Sequence, residues 1–394
     1  MKEVVRLTPL ESAIDIAVGE EPSAPGLPDS NSSPTPLEAL EQVLLTALNR
    51  PPCMIDFSGG RDSSILLAVA TRVARREGLP LPIPATNIFP GRPDTYESEW
   101  QELVVRHLEL TEWHRRTIGD EFDLLGPYAQ MVMGRHGLVS PSTAYGFLSS
   151  FRDAAGGTCV TGLDGDGIFG TWTTWRPWAV LRGGIHPEPR DALRIAKIFA
   201  PGPARRAWVR HRSALGVTWL LPEAKAELEH AWRSWWASEP VRWNDRVAWW
   251  VRSRLIVVLK QATALLADDT DVRLLHPFLE PAFLAALSRA GGWSGFGDRP
   301  AAMRMLFGDL LPREVLERGE KAEFTAVYWT DRAKSFAAEW TGTGVPLDLV
   351  DPAALQATWT SERPDARSAL LLQAAWLATS DAPEVEQHFN SDLG

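Results

Sequence analysis

Apolar residues recur at helical spacing from Leu37 to Leu48, where Leu37, Leu40, Val43, Leu44 and Leu48 share one face and predict an amphipathic helix. A short apolar run follows, Cys53–Phe57, bounded by Pro51-Pro52 and Gly59-Gly60, and reads as a buried strand. Ser63 to about Arg76 returns to helical spacing. Ile83–Phe89 predicts a second strand, stopped by Pro90-Gly91. Glu97–Leu108 reads as a helix, Glu112–Ile118 as a third strand, and Thr158–Thr161 as another short apolar run between Gly156-Gly157 and Gly162. Strands alternating with helices predict a parallel sheet covered on both faces.

The pattern changes near residue 190. Segments 190–198, 205–215, 222–237, 243–266, 280–290, 300–317, 332–340 and 365–378 have helical spacing and little strand signal. The fold class is therefore α/β: a parallel-sheet region over 37–189, then a mostly helical portion over 190–394. Residues 19–36, GEEPSAPGLPDSNSSPTP, are too poor in apolar surface to offset chain entropy and predict a flexible linker. Residues 1–36 are then a short arm, with room for one strand, and that linker. No internal repeat is visible.

Composition narrows the function classes. The chain has 394 residues, 45% hydrophobic and 23% charged, enough for a large core. Its net charge is −10, with no basic run, which argues against sequence-independent nucleic-acid binding. No apolar stretch approaches the roughly 18–20 residues of a membrane span. The start, MKEVVRLTPLESAIDIAV, lacks a secretion pattern, so a cytoplasmic location is expected. Two cysteines, Cys53 and Cys159, exclude a disulfide framework, and both fall in predicted core strands. The eight histidines show no zinc spacing. Six lysines stand against 34 arginines, so a lysine in a motif is informative. The 18 tryptophans predict mainly packing, with a substrate-facing surface as the alternative.

Three stretches carry candidate chemistry. The first is Ser58-Gly59-Gly60-Arg61-Asp62-Ser63-Ser64, between a buried strand and a helix. Its glycines bare backbone N–H groups, and the helix start favours an anion, so the loop is a phosphate cradle. It is not a Walker A loop. An acid inside such a loop implies a cation, which makes Asp62 a Mg²⁺ ligand. The second is Thr161-Gly-Leu-Asp-Gly-Asp-Gly-Ile-Phe-Gly170. Gly165 to Gly170 fits G-x-G-x-x-G, but the following TWTTWRPW suits neither the helix nor the second strand that a dinucleotide site needs. The third is Leu311–Phe324, LPREVLERGEKAEF.

The first stretch matches the S-G-G-x-D-S-S signature of the PP-loop ATP pyrophosphatases, whose fold is adenine nucleotide alpha hydrolase-like and which release AMP and pyrophosphate. The second resembles the S-G-E-G-S-D-E-I-F-G-G segment of asparagine synthetase, and the third its "LP…I..R.K..F" segment. Leu275-His-Pro-Phe-Leu-Glu280 is similar to the family's R-x-P-F-L-D, although Arg273 is shifted and Glu280 replaces Asp. The likeness spans roughly 37–380.

It implies that ATP is bound by Ser58, Gly59, Gly60, Asp62, Ser63, Ser64, Gly162 and Lys321. It implies that Asp62 and Asp166 hold Mg²⁺ and that Lys321 stabilises charge on the phosphates; these three are the expected catalytic residues. A backbone group near Ile55–Phe57 would contact the nucleoside. Two departures matter. Lys2 stands where such synthetases carry the cysteine of a glutaminase domain, so that activity is not expected. Leu163 stands where asparagine synthetase has Glu and β-lactam synthetase has Tyr, and leucine transfers no protons.

Leu306–Trp376 resembles the lasso-peptide macrolactam synthetases. The function implied is an ATP-dependent amide ligase that adenylates a peptide carboxylate, with a precursor peptide and a leader protease as partners. A small-molecule lactam or amide synthetase and a non-catalytic nucleotide-binding relative are the alternatives.

Overall fold

The computed structural model describes residues 5–28, 34–170, 175–209, 216–319 and 322–379. Five parallel strands form one sheet: β1 Cys53–Asp56, β2 Ile83–Ile88, β3 His114–Thr117, β4 Thr158–Thr161 and β5 Arg273–Leu275, in the order β3-β2-β1-β4-β5. Asp56 is in register with Ala85 on one side and Thr161 on the other, so β1 and β4 end side by side. The order reverses between them, and in open α/β sheets ligands bind outside such a switch point.

Before the sheet come α1 Pro9–Ser12 and α2 Pro36–Leu48; within it, α3 Arg61–Glu77, α4 Ser98–His107, α5 Pro127–His136, α6 Leu148–Asp153 and α7 Gly165–Phe169. Next come α8 Trp175–Leu181, α9 Asp191–Phe199, α10 Gly202–Val209, α11 Pro222–Ala237, α12 Trp243–Val251, α13 Arg254–Asp268, α14 Pro281–Gly291 and α15 Arg299–Phe307. Short helices Arg313–Glu317, Thr325–Tyr328, Asp331–Glu339, Pro352–Trp359 and Ala369–Thr379 complete the described chain. This is the predicted α/β class with a helical C-terminal portion.

Alternation along β1 explains two cores. Ile55 and Phe57 pack with α2, α3 and α14, while Met54 joins Ala85 and Cys159 beneath α5, α6 and α13 on the opposite face. Both cysteines are buried and free, and burial pushes the Cys53 thiol up to about 12. That environment holds them as packing residues.

Several expectations need correction. β5, with only three residues and an exposed Arg273, carries too little apolar signal to be seen in the sequence. The predicted helix 243–266 is two helices, because Ser253 caps α13 by accepting from Ile256 N–H. The predicted helix 300–317 breaks at Gly308–Pro312. The end of predicted segment 205–215 lies outside the described residues.

The N-terminal arm is not a strand, and the described part of the proposed linker packs. Thr8 and Glu11 close a capping box on α1, and Ala13 and Ile14 are fully buried. Trp219 Nε1 donates to the Ala13 carbonyl at 2.8 Å. Glu11 also takes Arg254 at 2.8 Å and Val18 N–H at 2.7 Å. Glu21 N–H donates to the Arg252 carbonyl at 2.8 Å, and Leu27 lies on the core. Low apolar content misleads here because backbone groups and carboxylates do the docking.

Ile14→Ala should therefore destabilise the protein by about 2–5 kcal/mol in urea unfolding, and deleting residues 1–30 should cost more. Burial raises the Glu11 pKa, but Arg254 and two backbone N–H groups outweigh it and hold it below its ordinary value. Its stabilisation is thus present at neutral pH and lost as pH falls through the lowered pKa. An arm whose removal left the melting temperature unchanged would refute this assignment.

Candidate active site

The site begins where β1 ends. Gly59 turns with φ +83°, and a side chain there would press on Gln101, whose Nε2 donates to the Ser58 carbonyl at 3.0 Å. Gly60 caps α3 with no side-chain cap bond. Ser58 and Ser63 hydroxyls lie 3.3 Å apart, and Ser63 Oγ donates to the Gly60 carbonyl at 3.1 Å. Asp62 sits in the first turn of α3.

The loop after β4 closes against it. Gly165 lies so near Asp62 that a β-carbon would strike the carboxyl group, and one at Gly162 would meet Ser63 N at 3.2 Å. Asp164 adopts φ +60° and, among non-glycine residues, such a conformation needs support from its surroundings. Its carboxylate accepts Trp250 Nε1 at 2.7 Å, and a β-carbon at Gly167 would strike it. Burial pushes Asp164 up to about 7; Trp250 opposes this, and Asp166 and Asp62 reinforce it. Beneath the loop, His276 bridges Thr161 Oγ1 at 2.7 Å and Thr263 Oγ1 at 3.0 Å. Burial, with help from Lys260, lowers the imidazole pKa to about 3 and keeps it neutral.

Two arginines that sequence reasoning missed complete the site. Arg299, at the start of α15, places Nη2 2.7 Å from both oxygens of Asp62, and its Nη1 contacts Asp166 Oδ1. Burial would lower its pKa, but Asp62 and then Asp166 hold it raised. Arg318 donates to the Gly59 carbonyl at 3.0 Å, pairs with buried Glu97 and lies over Trp100. Glu97 also accepts Ala322 N–H at 2.8 Å. The arginine bias of the whole chain masked both signals.

Together these groups line a cleft of about 400 Å³: Ser58, Gly60, Arg61, Asp62, Ser63, Gly162, Asp166, Arg299, Arg318 and Phe324 are on its walls. Asp56, Ser58, Phe147, Leu163 and Phe324 also line a second chamber of about 360 Å³, walled by Phe57, Phe89, Phe122 and Tyr328. No tryptophan lines either space among the described residues. Of the predicted site, Ser58, Gly60, Asp62, Ser63, Gly162 and Asp166 meet at the cleft. Ser64 does not: it is fully buried, its hydroxyl has no partner, and only its backbone serves the turn. Gly59 shapes the loop from behind. Lys321 lies outside the described residues; Arg318 and Phe324, to either side of it in sequence, line the cleft.

The asparagine synthase family profile matches residues 39–380, most of the chain and both parts of the cleft. The chain belongs to the asparagine synthase family. It is an ATP-dependent ligase of the asparagine synthetase type. A comparison with curated proteins finds no match. Family membership makes ATP the nucleotide substrate, and the phosphate loop at the switch point is where the fold would take it.

Whether the asparagine synthase cleft suits Mg²⁺ is decided by its donors. Asp62 and Asp166 already share one cation, the Arg299 guanidinium, so both carboxylates reach a common point. Among the described residues no cluster of three metal-ligating side chains exists, so phosphate oxygens would supply the remaining hard ligands. The residues therefore fit a metal–phosphate unit rather than a resident ion. Gly165→Ala should push the Asp62 loop aside and lower kcat/KM by about 10²-fold with the melting temperature nearly unchanged. Full activity in that variant would show that the contact between the loops is dispensable.

Proposed function

We propose that this asparagine synthase-family ligase activates a carboxylate of a peptide substrate and closes it onto an amine as a macrolactam. The carrying observation is two adjoining spaces that share Asp56, Ser58, Phe147, Leu163 and Phe324: a cleft lined by Asp62, Asp166, Arg61, Arg299 and Arg318, and a chamber with aromatic rings on its walls. The substrate carboxylate attacks the α-phosphorus of ATP, forming an acyl-adenylate and releasing pyrophosphate. An amine then attacks the acyl carbon, loses a proton, and AMP leaves.

The chain's residues divide this work. Backbone N–H groups of the Ser58–Ser63 turn and the start of α3 would face the phosphates. Asp62 and Asp166 would hold Mg²⁺, which would neutralise phosphate charge. Gly162 and the β1 end would contact the nucleoside. Arg318 fixes the loop from the side. The aromatic rings of the chamber would shield one side of the activated acyl group from water. Lys321 would face the departing pyrophosphate. Lys321→Ala should lower kcat by about 10²-fold with a smaller change in ATP affinity. Unchanged turnover would remove Lys321 from the mechanism.

Leu163 provides no base, but Asp56 lies beside it on both spaces. One Asp56 oxygen accepts Ser150 Oγ at 2.7 Å. Burial raises its pKa, opposed by Ser150 and Arg116, which makes it a stronger proton acceptor than an exposed carboxylate. Asp56 would then take the amine proton.

The resemblance of Leu306–Trp376 supports a peptide substrate, and the size of the chamber supports an organic group larger than ammonia. A small-molecule lactam synthetase is the second reading, favoured by the modest volume of the chamber, about 360 Å³. The test supplies ATP, Mg²⁺ and candidate precursor peptides or small amino acids, and follows AMP, pyrophosphate and loss of water from the product by mass. Asp56→Asn should retain carboxylate-dependent ATP–pyrophosphate exchange while losing about 10²–10⁴-fold in amide formation. Equal loss of both half-reactions would place Asp56 elsewhere.

A further inference from the structure

The two carboxylates expected to serve a divalent ion are already bridged by a cationic side chain of the same molecule. We infer that Arg299 is an internal cation that holds Asp62 and Asp166 together before nucleotide arrives, competes with a divalent ion for them, and transfers to the pyrophosphate portion of the substrate when it binds. The inference rests on the ATP-ligase reading for the last step only.

The geometry carries it. Nη2 of Arg299 lies 2.7 Å from Oδ1 and 2.7 Å from Oδ2 of Asp62, and Nη1 reaches Asp166. One planar group therefore spans both loops. The Arg299 side chain is 14% exposed and that of Asp62 15%, whereas that of Asp166 is 49% exposed. The Asp166 end faces the cleft and is the end from which a competing ligand enters. Arg299 is also incompletely satisfied where it stands: its Nε is buried with no hydrogen-bond partner. A guanidinium fork matches phosphate oxygens as well as carboxylates. A pyrophosphate in the cleft would offer it more negative charge than two carboxylates, and a metal bound with that pyrophosphate would take over the carboxylates. Substrate binding is then an exchange of cations, and a bare divalent ion should bind poorly because it must evict Arg299 with nothing to receive it.

The other charged groups at this point are consistent with the assignment. Burial lowers the pKa of Arg61 and repulsion from Arg299 adds to that effect, while attraction from Asp62 and Asp166 opposes it without a bridging contact like that of Arg299. Arg318 is committed to Glu97 and to the Gly59 carbonyl. Of the three guanidinium groups on the cleft, Arg299 is the one bridging both loops.

The test measures Mn²⁺ binding to the full chain without nucleotide, by the electron paramagnetic resonance signal of free Mn²⁺, and inorganic pyrophosphate binding by calorimetry. Arg299→Met should bind Mn²⁺ about tenfold or more tightly than the parent protein, because the guanidinium that bridges the two carboxylates is removed, and pyrophosphate about tenfold more weakly. Arg299→Lys, which keeps a single-point cation, should fall between them on both measurements. Adding Asp62→Asn to Arg299→Met should abolish the gain in Mn²⁺ affinity, which places the ion at this pair. Mn²⁺ affinity that is unchanged or weaker in both Arg299 variants would overturn the inference, as would unchanged pyrophosphate affinity. Neither measurement requires turnover, so a protein that makes no AMP would refute the ligase reading and leave the Mn²⁺ competition standing.

Discussion

Two loops leave adjacent strand ends and touch, and the site depends on how closely they do so. The loop after β1 brings Asp62; the loop after β4 brings Asp166. Their approach is closer than a side chain allows at Gly165, against the Asp62 carboxyl group, and is tight at Gly162, where a β-carbon would meet Ser63 N at 3.2 Å. Glycine at these positions is a steric requirement set by the neighbouring loop. Parallel pairing of β1 with β4 fixes the distance between strand ends, and the missing β-carbons determine what fits in the remaining gap.

Bringing two carboxylates into that gap is unfavourable without positive charge. Part of that charge comes from the helical portion. Arg299 begins α15, and Arg318 follows the short helix Arg313–Glu317. Both reach back to the β1 loop, one at Asp62 and the other at the Gly59 carbonyl. The sheet region alone therefore has the phosphate loop, the acids and Arg61, and the helical portion adds the guanidinium that bridges both loops. The family match across 39–380 covers both contributions, and the site is a product of that whole length.

What the sequence disclosed follows from how local each signal is. The Ser58–Ser64 turn, the 161–170 loop and most strands are written in consecutive residues, and they stand where the pattern put them. Ser64 shows the limit: the signature includes it, but helical geometry turns its side chain inward. Arg299 and Arg318 were illegible because their meaning is a long-range pairing and arginine is abundant throughout. The arm was misread for a related reason. Its docking uses Glu11, Glu21 and backbone groups against Arg254 and Arg252, which a hydrophobicity pattern cannot weigh. β5 escaped notice because three residues cannot establish a period.

The tryptophans find their place in the same argument. Trp235 stacks on Trp249 at 5.1 Å between ring centroids and on Trp250 at 6.1 Å, across α11 and α12. Trp250 then donates to Asp164, the residue at φ +60° in the acidic loop. A non-glycine residue in that conformation costs about 1–3 kcal/mol and persists only where its surroundings hold it. The aromatic stack supplies that hold: rigid rings fix the direction of one indole N–H, and that N–H fixes Asp164. The aromatic rings on the chamber beside the cleft are phenylalanine and tyrosine. The Trp235–Trp249–Trp250 stack is thus structural, one layer behind the cleft, and its hydrogen bond to Asp164 sets the position of the loop carrying Asp166.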